Sequence, residues 1–207
     1  MKLHTEPMHP GCYYHVYNRG INGEQLFKQP RNYGYFLDKY AKYIEPIATT
    51  YAYVLMGNHF HFFIGLKQEE TIRQQFPLKS ETPIELVISQ QFARLFNGYA
   101  QAINKQEKRT GALFEDTFRR IPVGTEVYAA QMVYYIHRNP KKHTFVTDFK
   151  DYPHSSYRAF TMPKESTRIP REVVFDWFGG RDTFFAYHGE EKDFGDDWCK
   201  DFWVEVD

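Results

Sequence analysis

Cysteine is nearly absent: Cys12 and Cys199 are the only two in 207 residues, far apart and in no metal-ligand spacing. A disulfide framework and a cysteine zinc site are both excluded, and a reducing, cytoplasmic compartment is the expectation. Long apolar runs are missing as well. No stretch approaches the roughly 18 residues that a membrane span requires. Residues 1–11, MKLHTEPMHPG, lack the apolar segment of a signal peptide. Net charge is missing too, with 26 acidic residues against 26 basic ones. That balance hides a split. Eight of the acids fall in residues 190–207 against Lys192 and Lys200, leaving 18 acids and 24 bases before them. The body is therefore about +6 and the tail about −6, and a basic body is compatible with a phosphate-backbone partner.

Aromatic residues are abundant: 19 Phe, 16 Tyr and 3 Trp. A chain of this length suits one domain with a real core. There is no internal repeat and no low-complexity segment.

Tyr13-Tyr-His-Val-Tyr alternates as a strand does and ends at the turn Asn18-Arg-Gly. A helix is predicted over residues 32–45, with Phe36, Leu37, Tyr40 and Ile44 on one stripe and Asn32 as its cap. Strands follow at 48–55 and 59–66, joined by Gly57-Asn58, and residues 67–81 read as a polar loop. Thr82-Pro-Ile-Glu is a helix start with Thr82 as cap, leading to apolar positions at helical spacing as far as about Lys105. Residues 118–123 read as another strand. Gly124-Thr125 then caps a helix to about Arg138, and Pro140 places Asn139 at its very end. This order predicts an α+β fold, a mostly antiparallel sheet with helices packed on one face, in the ferredoxin or RNA-recognition arrangement. The other face would be open.

His59 and His61 are two apart on a strand, so both imidazoles leave the same face, while Phe60 and Phe62 point into a core. Neutral imidazole is a common metal ligand, so the pair is half of a metal site. The last predicted helix, Gln131-Met-Val-Tyr-Tyr-Ile-His-Arg-Asn-Pro, sets Tyr135 and Asn139 four apart on one face. A phenol is a nucleophile that can form a covalent phosphodiester with a DNA end. The Asn139 carbonyl, one turn away, is a candidate third ligand for a metal that polarises the phosphate. Tyr134 points about 100° round the helix and reads as packing.

At these residues the sequence resembles a known family. His59-Phe60-His61 is similar to the His-hydrophobe-His motif of the HUH endonucleases, in the Met-x-Asn-His-x-His form of single-tyrosine transposases. Tyr135-Ile-His-x-Asn-Pro resembles the catalytic helix of the REP-associated tyrosine transposases. Tyr14-His15-Val16 with Arg19-Gly20, Gly111-x-Leu-Phe114 with Phe118-Arg119, and Tyr152-Pro153-x-Ser155-Ser156-Tyr157 add to the likeness. It spans about residues 13–160. Gly57 and Lys141 depart from the family pattern.

The resemblance implies the HUH α+β fold over residues 1–160, with 161–207 as a C-terminal extension ending in the acidic tail. It implies a single-stranded DNA substrate beside a hairpin, processed as a transposase or a processor of repeats would. Tyr135 would attack the phosphate to give a 5′-phosphotyrosine, and His59, His61 and Asn139 would hold Mg²⁺ or Mn²⁺. The chain would act as a monomer or homodimer, with no membrane partner. Arg119, Arg120, Arg138, Lys141 and Lys142 are candidate DNA contacts, and neighbouring aromatics suit base stacking. Phe194, Trp198 and Phe202, spaced by four, suggest a short helix docking the acidic tail where it would compete with DNA. Two alternatives stand beside this reading: a catalytically silent nucleic-acid-binding module of RNA-recognition topology, and a metal-dependent hydrolase using water. A covalent protein–DNA adduct separates the first reading from both.

Overall fold

A computed structural model describes residues 6–77, 81–115, 117–162 and 164–192. Four strands, β1 (Tyr13–Arg19), β2 (Ala48–Met56), β3 (His59–Leu66) and β4 (Arg119–Val123), form one sheet in the order β2-β3-β1-β4. Every neighbouring pair is antiparallel, as the α+β reading expects. Between them lie helices α1 (Pro30–Tyr43), α2 (Glu69–Gln75), α3 (Ile84–Glu107) and α4 (Glu126–Lys142). The short helices α5 (Tyr157–Thr161), α6 (Arg171–Trp177) and α7 (Arg181–Gly189) follow. No helix among the described residues is long and apolar enough to cross a membrane.

The alternation in β3 divides the molecule. Phe60, Phe62, Ile64 and Leu66 face one way and join Phe36 and Tyr40 of α1 and Phe92 and Tyr99 of α3 in a core. Tyr40 and Phe62 stack with ring centroids 4.3 Å apart, a geometry that adds to simple area burial. The opposite face was expected to be open, and it is covered. Phe63 with Ala52, Val54 and Met56 of β2 packs against Ala129, Met132, Val133 and Ile136 of α4. The apolar stripe of α4 needs a partner, and this sheet face supplies it. Its other side carries Phe160, Val174, Phe175 and Phe184 from the C-terminal helices, so residues beyond 160 share this core.

Helix ends depart from expectation in three places. Asn32 is not the cap of α1: Gln29 is, with Asn32 at the third helical position returning a 2.8 Å bond to the Gln29 N–H. Pro83 rather than Thr82 occupies the cap position of α3. In α4 the helix continues through Pro140 to Lys142, and His143 N–H bonds to Asn139 O at 2.9 Å. Asn139 thus lies within the last turn. Within the segment expected as a loop, α2 forms around one buried anchor, Ile72. Thr125 does cap α4, accepting from the Tyr128 N–H. The expected tail helix at Phe194, Trp198 and Phe202 lies outside the described residues.

The turn before β3 is held from two sides. Gly20 N–H donates to Asn58 O at 2.8 Å, and the N–H groups of Leu26 and Phe27 both donate to Gly57 O. A side chain at Gly20 would place its Cβ 1.9 Å from the Glu24 carbonyl oxygen, so only glycine lets the chain pass there.

Candidate active site

Register decides what meets on the covered face. Tyr17 lies opposite His61, and Arg19 opposite His59, in the β1–β3 pairing. On the other side of β1, Tyr17 lies opposite Arg119 of β4. Residues directly opposite share a face, so His15, Tyr17, His59, His61 and Arg119 stand on the sheet face that α4 packs against. The rings of His15, Tyr17 and His61 are nearly parallel: Tyr17 stacks on His15 at 4.8 Å and on His61 at 5.6 Å. Tyr135 descends from α4 with its ring edge-on to both imidazoles, 6.0 Å from His15 and 5.8 Å from His61. Two turns further along α4, His143 lies 4.8 Å from His59, ring to ring. Asn139 occupies the turn between them.

The hydrogen bonds assign protons. His59 Nδ1 is 2.7 Å from Asn58 Oδ1. A carbonyl oxygen only accepts, so Nδ1 carries the proton and Nε2 keeps its lone pair. That Nε2 atom is buried with no hydrogen-bond partner among the described residues. The Asn139 amide nitrogen donates to Tyr135 O at 3.0 Å. This turns Oδ1 the other way, where it too is buried without a partner among those residues. His61 Nδ1 is 2.9 Å from His15 Nε2. If His61 donates here, its Nε2 is the remaining lone pair.

All these imidazoles are held neutral. Burial pushes His59 down to about 3, helped by the positive fields of His143 and Arg19. Burial holds His61 well below the ordinary imidazole value, with contributions from His15, His59, His143 and Lys142. Burial also takes His15 to about 3. Neutral imidazole is the form that ligates metal.

A divalent cation fits this donor set. Two buried acceptors, His59 Nε2 and Asn139 Oδ1, lack partners among the described residues, and unpaired buried polar atoms are costly unless a ligand satisfies them. No three His, Cys, Asp or Glu side chains among the described residues group to hold a metal by themselves. The amide oxygen of Asn139 is therefore the donor that would complete the pair His59 and His61. Imidazole with amide oxygen is a borderline set suited to Mn²⁺ and tolerable for Mg²⁺.

The predicted DNA contacts separate. Arg119 is exposed on the face that carries Tyr17. Lys142 sits at the rim with Nζ 5.8 Å from the Tyr135 ring centre. Arg120 lies on the opposite face, bonded to Glu6 O and over Phe118. Arg138 and Lys141 both contact the Glu191 carboxylate. Tyr134 is buried, and its hydroxyl donates to Glu190 O and accepts from the Lys192 N–H. His15, Tyr17 and His143 were not singled out as site residues in the sequence. The one signal for the first two was their two-residue spacing in β1, which means little until the β1–β3 register is known.

No family model matches the sequence, and no curated protein matches it. A solved structure of a REP-associated tyrosine transposase bound to a REP hairpin is similar with a TM-score of 0.60. The match covers 81% of this chain and 90% of that one, at 15% identity. At that identity the likeness is one of fold: this chain has the α+β fold of a REP-associated tyrosine transposase.

Proposed function

We propose that this protein cleaves and rejoins single-stranded DNA beside a hairpin, using Tyr135 as nucleophile and a divalent metal held by His59, His61 and Asn139. The observation that carries the reading is the meeting of two elements. Tyr135 stands over His61, and the Asn139 oxygen, without a partner among the described residues, lies one helical turn along. The hairpin-bound transposase of the same fold supports a DNA partner of that kind.

In this reading the Tyr135 oxygen forms a bond to phosphorus as the bond to the 3′-oxygen breaks, giving a 5′-phosphotyrosine and a free 3′-hydroxyl. The phenolic proton leaves to solvent, which the half-buried ring still meets, and the 3′-oxygen takes a proton in turn. Bound Mg²⁺ or Mn²⁺ supplies charge withdrawal from the phosphate. Lys142, at the rim, favours negative charge close to the tyrosine. The ester conserves the bond energy, so a second strand can be joined without ATP. A silent RNA-recognition module is disfavoured, because the sheet face that would stack bases lies under α4.

The test uses a pool of stem-loop oligonucleotides with randomised single-stranded arms, incubated with Mg²⁺ or Mn²⁺ and run on a denaturing gel. Wild type and Tyr134→Phe should form a covalent adduct, Tyr135→Phe and EDTA-treated protein none. An adduct with Tyr135→Phe, or metal-dependent cutting without an adduct, would overturn the assignment.

A further inference from the structure

Tyr17 is a second phenol beside the same two imidazoles as Tyr135, and the reaction above does not use it. It is 7% exposed, and its hydroxyl is buried with no hydrogen-bond partner among the described residues. The ring is held in place by His15 and His61, on which it stacks. Arg119, opposite it in the β1–β4 register, brings a positive charge beside the phenol, which is neutral at ordinary pH. Tyr17 is therefore a neutral donor, fixed in direction, beside a cation that faces solvent. A donor and a cation together suit an anionic oxygen. They lie on paired strands of the sheet, whereas Tyr135 comes from α4.

We propose that Tyr17 is a further substrate-contacting residue, its hydroxyl donating a hydrogen bond to a non-bridging oxygen of the phosphate that Tyr135 attacks, with Arg119 as the accompanying charge. No proton is transferred: the hydroxyl stays a phenol throughout, and the bond strengthens as charge builds on that oxygen. Fixed donors aimed at developing charge are a large source of rate enhancement. The proposal rests on the cleavage reaction proposed above and adds the group that orients its phosphate.

The discriminating property is that, among the described residues, nothing satisfies this hydroxyl. Tyr17→Phe removes a buried donor without a partner, so thermal stability should stay equal or rise. Single-turnover adduct formation with the stem-loop pool and Mn²⁺ should fall about 10- to 100-fold, the loss of one hydrogen bond to a charged group. Arg119→Gln should fall in the same assay, by less, since its side chain is exposed. A Tyr17→Phe rate equal to wild type overturns the proposal, and so does a lowered rate accompanied by a lowered melting temperature, which marks a packing role. If wild type forms an adduct and Tyr17→Phe matches it, only this inference falls. If wild type forms none, both readings fall.

Discussion

His15 and His61 meet across two strands, Nε2 to Nδ1 at 2.9 Å, with their planes 15° apart. A ligating imidazole is commonly aimed by whatever its other nitrogen bonds to, and here that partner is another histidine. In the proposed metal site His15 would thereby be a positioning residue for His61. His15→Phe keeps the ring volume and the stack on Tyr17 but removes the hydrogen-bond partner of His61 Nδ1. Loss of such a partner typically weakens metal affinity or activity about 10- to 100-fold. The expected result is a Mn²⁺ titration of adduct formation displaced to higher concentration, with the rate largely recovered at saturating metal. An unchanged half-saturation point would remove His15 from this role.

Glu191 bridges Arg138, at 3.0 Å, and Lys141. Its carboxyl ionisation is lowered by Lys141 first and Arg138 second. The acidic tail was expected to compete with DNA for basic residues; most of it lies outside the described residues, but this first contact falls on two of the predicted DNA-binding cations. Glu191→Gln should tighten binding to a single-stranded oligonucleotide about 2- to 5-fold at low salt, and the gain should vanish as salt rises. The Glu191 side chain is exposed, so folding stability should hardly change. Equal affinities for variant and wild type at low ionic strength would exclude competition at this contact.

A second imidazole pair lies behind α4 and predicts the response to acid. His188 Nδ1 is 2.8 Å from Phe184 O, so it donates there. His188 Nε2 must then accept from His137 Nδ1, 3.0 Å away. His137 Nε2 in turn accepts from the Ser156 hydroxyl at 2.9 Å. Every proton in this chain is accounted for with both rings neutral, and both are fully buried. Burial takes His188 to about 3 and holds His137 well below its ordinary value. The unfolded chain takes up protons below about pH 6.5, which the folded pair refuses. Stability is therefore full above that pH and declines as pH falls from about 6.5 toward 3. At pH 5.5 each such histidine costs about 1.4 kcal/mol relative to neutral pH. Urea midpoints measured at pH 7.5 and 5.5 should differ, and less so for His188→Gln. A flat profile would contradict the buried neutral pair.

Much of this was legible from local pattern. The alternation of His59-Phe60-His61-Phe62 sorted side chains between two faces, and the spacing of Tyr135 and Asn139 placed both on one side of a helix. Those inferences need only the periods of a strand and a helix. What escaped depends on distant partners. His15 and Tyr17 look like ordinary strand residues until β1 is paired with β3. The helix α4 was expected, but not that its apolar stripe would cover the sheet face thought to be open. Pro140 argued for ending α4 early, since proline disfavours helix at the residue before it. Packing of Ile136, His137 and Asn139 holds that turn helical regardless. The α2 helix has a single buried side chain to advertise it.

The split personality of β3 makes the strand intolerant of a frame shift. His59 and His61 stand on the face proposed for the chemistry, with Phe63 packed toward α4 beside them, while Phe60, Phe62, Ile64 and Leu66 serve the aromatic interior, so one inserted or deleted residue after Gly57 exchanges the two sets. Imidazoles would then point among Phe36, Tyr40 and Phe92, and phenylalanines at Tyr135. A lineage that discards the reaction by such an indel discards the folded protein with it. Inactive descendants of this chain should therefore carry point substitutions at His59, His61 or Tyr135 while the spacing from Gly57 to Leu66 stays intact.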